Sequence, residues 1–167
     1  AAAFRAAITQ AADHAKIQRI VTLGVKPASA STAYGYIKPG AGQGARLVEA
    51  FVEKPDAQRA ADYLAHGYLW NSGNFVVPAE LLVRELAAHA PEVLAAARAG
   101  VAQGQEHGDG VLALGAGFLA APKISIDYAV MEKTGRAAVL PVDFAWSDLG
   151  AWDAVLDASA RDDEGNH

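Results

Sequence analysis

The 167-residue chain is predicted to adopt an α/β layered fold. Segments rich in β-branched residues alternate along it with segments whose apolar residues recur at helical spacing. Proline and glycine separate most of these segments from one another. Such alternation is typical of helices packed on a sheet rather than of an all-β protein or a helical bundle. The chain is also long enough for one domain with a real hydrophobic core.

The first half of the chain is predicted to contain two helices and four strands. Phe4, Ile8 and the alanines around them recur at helical spacing, so the chain opens with an amphipathic helix. The predicted strands cover 19–25, 34–38, 45–52 and 68–77. The turn at 39–44 makes the second and third strands a hairpin. Asp56 is predicted to cap a helix that terminates at Gly67.

The second half is predicted to be mainly helical until its last strand. Pro78 and Pro91 suit the first residue of a helix, and these two helices are expected to end near residues 89 and 102. The segment 104–110 is rich in glycine and is predicted to be a flexible connection. Ser125 is predicted to cap a short helix. The remaining predicted elements are a strand over 137–142, a helix over 151–158 and a polar tail over 161–167.

Composition excludes several classes of function. A formal net charge of -5 argues against nonspecific nucleic-acid binding, which needs a basic surface. The sequence contains no cysteine, which excludes disulfides, thiolate catalysis and cysteine-based metal sites. No stretch approaches the roughly 18 consecutive apolar residues of a membrane span, and no signal peptide is recognisable. We therefore expect a cytoplasmic protein without nucleic-acid or membrane partners, although a small phosphorylated substrate remains compatible with this charge.

The segment FVEKPD (51–56) places a carboxylate and an ammonium together at the end of a strand. Lys54 could neutralise a phosphate as a compact point charge, and Glu53 could accept hydrogen bonds from sugar hydroxyls. The alternative is a solvated strand end, for which these residues are ordinary.

The segment YLWNSGNF (68–75) is a poor strand-forming run at its centre. It suggests a bulge at which Asn71 faces a ligand and Gly73 permits a close approach. The alternative is an ordinary β-bulge with Trp70 in the core. The sequence leaves both open.

Two acidic segments in the last third have both structural and functional interpretations. Asp148 lies between Ser147 and Leu149, after a strand and before a helix, where it could bind a divalent cation or cap the helix. The residues alone favour the cap. Asp127 suits the first turn of its predicted helix through the helix dipole, and we expect a structural role for it.

Taken together, these segments resemble mannose-1-phosphate guanylyltransferases. FVEKPD, YLWNSGNF, PKISIDYAVMEKT and VLPVDFAWSDLGAW occur in that order, and IVTLGVKP with YGYI adds a fifth match near the start. The resemblance implies a Rossmann-like nucleotidyltransferase fold that joins GTP and mannose 1-phosphate into GDP-mannose and pyrophosphate with Mg²⁺. The similarity runs from about Phe4 to the tail.

The resemblance also implies roles for five residues. The Lys54 ammonium would contact the sugar phosphate and Glu53 the mannose hydroxyls. Asn71 would contact the sugar, with the backbone of Gly35 lying against it. Asp148 would be one of two aspartates that coordinate Mg²⁺, and it would share the catalytic role with Lys54.

The sequence departs from this family at its start. The Gly-rich G-x-G-T-R-L-W-P loop that cradles the GTP phosphates does not occur in it, nor does the P-A-D-H segment that supplies the other metal aspartate. We therefore interpret residues 1–158 as the sugar-phosphate-binding part of the nucleotidyltransferase domain, lacking the N-terminal nucleotide-binding half. Residues 159–167 are interpreted as a tail leading toward an absent β-helical region.

Three alternatives stay open at this level. The chain could be a non-catalytic sugar-phosphate-binding paralogue, part of a nucleotidyltransferase for a different sugar 1-phosphate, or a chain that works only when complemented by a separate N-terminal fragment. A homo-oligomer is also compatible with the sequence. Since the phosphate loop is missing, we expect the chain to be inactive in nucleotidyl transfer by itself.

Overall fold

The computed structural model describes residues 2–150 and 152–159. Its helices are α1 (Ala2–Ala15), α2 (Ala57–Ala65), α3 (Ala79–His89), α4 (Pro91–Ala102) and α5 (Trp152–Ala158). Its strands are β1 (Ile20–Val25), β2 (Tyr36–Pro39), β3 (Arg46–Val52), β4 (Leu69–Val76), β5 (Gln105–His107), β6 (Val111–Ala113) and β7 (Ala137–Val142). A 3₁₀ helix covers Ala116–Ala120 and a π-helical turn covers Asp127–Met131. The predicted α/β class is confirmed.

Five strands form a sheet that closes on itself in the order β1-β4-β2-β3-β7. β1 and β7 run parallel, with Ile20 opposite Ala137 and Val25 opposite Val142. The remaining pairs within this barrel are antiparallel, including the predicted hairpin of β2 and β3. The barrel closes because β7 pairs with β1 on one side and with β3 on the other.

β1 forms the centre of the core. All six of its residues are buried, which explains why IVTLGV reads as a continuous apolar run instead of an alternating one. Successive side chains of a strand point to opposite faces. Ile20 accordingly packs with one hydrophobic cluster, while Val21 and Leu23 pack with a second cluster under α1.

A third cluster lies at the carboxyl end of β1. Val25 packs there with Tyr36, Ala60 and Trp70, all of them buried. Partly buried aromatic residues surround this group, among them Tyr34 and Trp146. This aromatic cluster supports the loops that carry most of the candidate site residues.

The ends of α2 confirm the sequence prediction. Asp56 Oδ1 accepts a hydrogen bond from the Arg59 backbone N–H at 2.8 Å, which is an N-cap. Gly67 follows the helix with φ of +73°, a conformation that favours glycine. Pro78 differs slightly from expectation, because it is the cap residue before α3 and not its first helical residue.

Two predicted elements were wrong in detail. The segment 104–110 is not a flexible connection, because β5 and β6 pair there as a hairpin whose turn contains Asp109 and Gly110 at positive φ. Ser125 does not cap a helix with its side chain. Its carbonyl accepts from the Ala129 N–H instead, and the next residues widen into the π-helical turn.

Burial accounts for that wider turn. Ala129, Val130 and Met131 are consecutive and all buried in the cluster around Ile20. The Glu132 N–H reaches back five residues to the Asp127 carbonyl at 3.0 Å. Packing three successive residues into the core therefore outweighs the regular helical hydrogen-bond pattern.

Residues 151 and 160–167, which include most of the predicted tail, lie outside the described residues. The boundary between 158 and 159 stays a prediction. None of the described helices is long and apolar enough to cross a membrane.

Gly24 provides a test of the packing around β1. A Cβ at this position would lie 2.5 Å from Val139 Cγ2 and 2.7 Å from Leu69 Cδ1. We expect Gly24→Ala to lower the free energy of unfolding by about 1–3 kcal/mol through overpacking, as measured by urea denaturation. Gly108→Ala is the matched control, since a Cβ there meets nothing within 4 Å. Equal stability of the two variants would contradict this account of the core.

Candidate functional site

Strand register brings the predicted site residues together at one end of the barrel. Tyr36 lies opposite Val52 in the antiparallel β2–β3 pair. The residue before Tyr36 is therefore next to the residue after Val52, which places Gly35 beside Glu53. FVEKPD and YGYI consequently meet, although these two positions are 18 residues apart in the sequence.

The pairing of β2 with β4 adds Asn71 to the same place. Tyr36 lies opposite Trp70, and the Asn71 N–H donates to the Gly35 carbonyl at 2.8 Å. Gly35, Glu53 and Asn71, three of the predicted substrate-binding residues, therefore lie side by side in the structure. Their roles toward a ligand stay predictions.

Gly35 leaves room for the carboxylate of Glu53. A Cβ built on Gly35 would lie 2.5 Å from Glu53 Oε2 and 3.4 Å from Asn71 Cβ. Any larger residue would therefore displace this carboxylate. Glu53 is also held by its backbone, whose N–H donates to Glu132 Oε1 at 3.2 Å.

Lys54 forms an ion pair with its neighbour but remains accessible. Its Nζ lies 3.1 Å from Glu53 Oε1, and the Lys54 side chain is 62% exposed while that of Glu53 is only 12% exposed. The hydrogen bond and charge of Glu53 raise the pKa of Lys54 above its ordinary value, with smaller contributions from Tyr128 and Asp127. The ammonium is charged at neutral pH, as the ordinary pKa of lysine already ensures.

The backbone of Lys54 is unusual. Its φ is +46°, in the left-handed region that non-glycine residues seldom occupy. Such conformations cost about 1–3 kcal/mol and are concentrated at functional sites. The outlier falls on the residue for which the family resemblance implies a contact with the sugar phosphate.

Asn71 lies at the predicted bulge. β1 and β4 change register between Thr22 and Gly24, so the bulge is confirmed. Trp70 is buried in the core, as in the structural interpretation, and Asn71 is 8% exposed. The strand therefore has both features, a core tryptophan and an asparagine turned toward Gly35.

The carboxamide of Asn71 has three partners. Its Oδ1 accepts from the Thr22 hydroxyl at 2.9 Å and from the Gly73 N–H at 3.2 Å. Its Nδ2 donates to Asp127 Oδ1 at 3.1 Å. Asp127, for which the sequence favoured a purely structural role, thus contacts a candidate site residue directly. No local sequence pattern indicates this contact, because the two residues are 56 positions apart.

Asp148 is exposed on the loop that precedes α5. Its Oδ1 accepts from the Gly150 N–H at 3.2 Å, two residues further on, and from the Tyr34 hydroxyl at 3.3 Å. Because α5 begins at Trp152, Asp148 forms a turn before the helix and is not its N-cap. The sequence-based preference for a cap was therefore wrong.

Tyr34 connects Asp148 to the rest of the site. Its ring makes edge contacts with Trp70 at 4.9 Å and with Trp146 at 5.3 Å between ring centroids. Since Tyr34 immediately precedes Gly35, this aromatic group places the Asp148 loop next to the three residues around Gly35. A sugar contact was predicted for the neighbouring Gly35, whereas no role was predicted for Tyr34.

The chain matches one protein family over almost its whole length. Residues 1–165 match the family described as nucleotidyl transferase. The xanthan biosynthesis protein XanB of Xanthomonas campestris is 46% identical over 166 residues, which are 99% of this chain and 36% of that protein. The mannose-1-phosphate guanylyltransferase of Sinorhizobium fredii is 46% identical over 151 residues, 89% of this chain and 30% of that protein.

Solved structures show the same fold. A structure described as a mannose-1-phosphate geranyltransferase from Thermus thermophilus is 34% identical with a TM-score of 0.82, over 96% of this chain and 46% of that one. A mannose-6-phosphate isomerase from Helicobacter pylori is 28% identical with a TM-score of 0.80, over 87% of this chain and 58% of that one.

This chain spans about a third of the length of the curated relatives. The match nevertheless covers nearly every residue of the chain. The predicted nucleotidyltransferase fold is therefore confirmed, and the chain belongs to the nucleotidyl transferase family.

Proposed function

We propose that the protein carrying this chain joins GTP and mannose 1-phosphate into GDP-mannose and pyrophosphate, and that this chain supplies the site for the sugar phosphate. The observation that carries the proposal is the convergence of Gly35, Glu53 and Asn71 beside the Lys54 ammonium. The relatives named mannose-1-phosphate guanylyltransferase support the choice of sugar and nucleotide.

The chemistry of these side chains suits a sugar phosphate. The Glu53 carboxylate can only accept hydrogen bonds when ionised, so it pairs with ligand hydroxyls that donate. The accessible Lys54 ammonium offers a compact positive charge to a phosphate. Because Gly35 has no side chain, Glu53 Oε2 can occupy the space where a Cβ would lie.

In the proposed reaction, a phosphate oxygen of mannose 1-phosphate attacks the α-phosphorus of GTP. A new bond forms between that oxygen and the α-phosphorus, the bond from the α-phosphorus to the β-phosphate oxygen breaks, and pyrophosphate leaves. Catalysis of phosphoryl and nucleotidyl transfer depends mainly on positioning and charge neutralisation. Lys54 contributes to both.

Mg²⁺ is the proposed cofactor, with Asp148 as one ligand. Mg²⁺ is usually held by one or two carboxylates together with substrate phosphates and water. Asp148 fits such a role, since its carboxylate is exposed and both of its hydrogen bonds to described residues use Oδ1. No cluster of three or more His, Cys, Asp or Glu residues within 2–150 and 152–159 could hold a metal alone. When bound, the ion would neutralise phosphate charge.

Removal of the Lys54 charge tests the proposed phosphate contact. In the protein that carries this chain, with an assay that follows GDP-mannose and pyrophosphate, we expect Lys54→Gln to reduce kcat/KM by about 100-fold or more, because one charge-assisted contact to the phosphate is lost. Lys16→Gln is the control, since Lys16 is an exposed cation that follows α1 and pairs with Asp13. Wild-type activity in Lys54→Gln would contradict the assignment.

Asp148→Asn tests the proposed metal ligand in the same assay. We expect a loss of activity of about 100-fold that higher Mg²⁺ concentrations partly restore, because the variant retains an oxygen ligand but loses its charge. An unchanged Mg²⁺ dependence would remove Asp148 from the proposed metal site. If the protein were active only with another sugar 1-phosphate, the proposed nucleotidyl transfer would stand but mannose would not be its sugar.

Gly35→Ala tests the geometry of the sugar site apart from its charges. The added Cβ would push Glu53 Oε2 from its place, so we expect the Kd for mannose 1-phosphate to rise about tenfold. The free energy of unfolding should change by less than about 1 kcal/mol, because the displaced atom ends a side chain that can rotate. Calorimetric titration and urea denaturation measure both quantities. Unchanged affinity would show that Glu53 is not a sugar contact.

A further inference from the structure

Asp127 lies outside the group of residues assigned to the sugar phosphate, yet its carboxylate contacts one of them. We propose that Asp127 is a positioning residue that fixes the carboxamide of Asn71 as a hydrogen-bond donor toward the sugar. This inference rests on the proposed function. It adds Asp127 to the residues of the candidate site, and it predicts which hydrogen-bonding groups of a ligand the site can bind.

The orientation of the Asn71 carboxamide follows from the chemistry of its neighbours. The Gly73 backbone N–H can only donate, so the carboxamide atom 3.2 Å from it is Oδ1. The ionised Asp127 carboxylate can only accept, so the atom 3.1 Å from it is Nδ2. The Thr22 hydroxyl must then donate to Oδ1 at 2.9 Å. Two neighbours of fixed polarity therefore select the same orientation.

This orientation limits what Asn71 can offer a ligand. Oδ1 already accepts two hydrogen bonds, which occupy its two lone pairs. Among the described residues, Nδ2 has one acceptor, Asp127, so one of its two hydrogens remains available. Asn71 is consequently a donor to a ligand and not an acceptor.

Glu53 has the opposite polarity on the other side of Gly35. Its carboxylate accepts hydrogen bonds and cannot donate them when ionised. A ligand group that contacts both side chains must donate to Glu53 and accept from Asn71. A hydroxyl satisfies both requirements, whereas a carbonyl oxygen or a deprotonated phosphate oxygen satisfies only one. The pair therefore selects a sugar hydroxyl.

The π-helical turn holds Asp127 in place. Its backbone carbonyl accepts from the Glu132 N–H at 3.0 Å, and the three residues before Glu132 are buried in the core. Glu132 Oε1 in turn accepts from the Glu53 N–H. One turn thus contacts Asn71 through its first residue and Glu53 through the residue at its end, which sets two sides of the site relative to each other.

The surroundings make the Asp127–Asn71 contact effective. The Thr22–Asn71 hydrogen bond is buried and the Asp127–Asn71 hydrogen bond is part-buried, and shielding from water strengthens both relative to exposed hydrogen bonds. A role limited to the helix dipole is weaker as an explanation, because the turn spans only five residues.

Nuclear magnetic resonance of the Asn71 side-chain amide tests the positioning without a ligand. In the unliganded protein that carries this chain, we expect Asp127→Ala to shift the Asn71 Nδ2 proton resonances and to speed their exchange with solvent. Asp127→Asn should leave exchange slow, because its side-chain oxygen can still accept from Nδ2. Asp13→Ala is the control, since Asp13 is an exposed carboxylate of α1. Unchanged Asn71 resonances in Asp127→Ala would overturn the proposal.

Calorimetric titration with mannose 1-phosphate tests the consequence for binding. We expect Asp127→Ala to raise the Kd about tenfold and Asp127→Asn to remain within about threefold of the wild type. A deoxy analogue that lacks the contacted hydroxyl should bind the wild type more weakly, and Asp127→Ala should lose much of that preference. A role through negative charge alone would make Asp127→Asn as damaging as Asp127→Ala, which would overturn the proposal.

The two proposals can fail separately. If the wild type does not bind mannose 1-phosphate, the proposed function fails, while the Asn71 resonances still decide whether Asp127 orients the amide. If Asp127→Ala does not fold, the affinity of the folded Asp127→Asn variant for mannose 1-phosphate tests the positioning role. Retained affinity supports positioning by hydrogen bonding, and lost affinity overturns it.

Discussion

The pairing of β2 with both of its neighbours is the constraint on which the rest of the site depends. Tyr36 lies opposite Val52 on one side and Trp70 on the other, and its own side chain is fully buried. Since both pairs are antiparallel, Gly35 lies beside the residues that follow these two partners. A slip of one residue in either pair would turn the site side chains to the opposite face of the sheet. Burial of Tyr36 therefore secures the register and the site together.

The π-helical turn links the hydrophobic core to the polar site. Ala129, Val130 and Met131 anchor it in the core around Ile20. The polar side chains of Asp127 and Glu132, at its two ends, contact the bulge of β4 and the backbone of the residue that follows β3. Because close-packed cores resist small displacements, this arrangement can hold hydrogen-bonding groups more rigidly than an exposed loop could. Stability and site geometry are thus maintained by the same contacts.

The electrostatics of the site are balanced around Lys54. The amine carries one positive charge, Glu53 lies in contact with it, and Asp127 lies close enough to raise its pKa further. An approaching phosphate would compete with these carboxylates for the same cation. Asp148 belongs to a different loop, which the Tyr34 hydroxyl contacts.

The sequence by itself determined the α/β class, most helix and strand positions and the motifs that form the site. These features follow from local periodicity, from capping residues such as Asp56 and from the types of residue that bind phosphates and sugars. Tertiary structure alone decided that Asp127 contacts Asn71, that Asp148 forms a turn held by Tyr34 and that Ser125 leads into a π-helical turn. Each of these depends on contacts between residues far apart in the chain or on core packing. Local sequence patterns do not encode such contacts, because the partner of a hydrogen bond is chosen by strand register and burial.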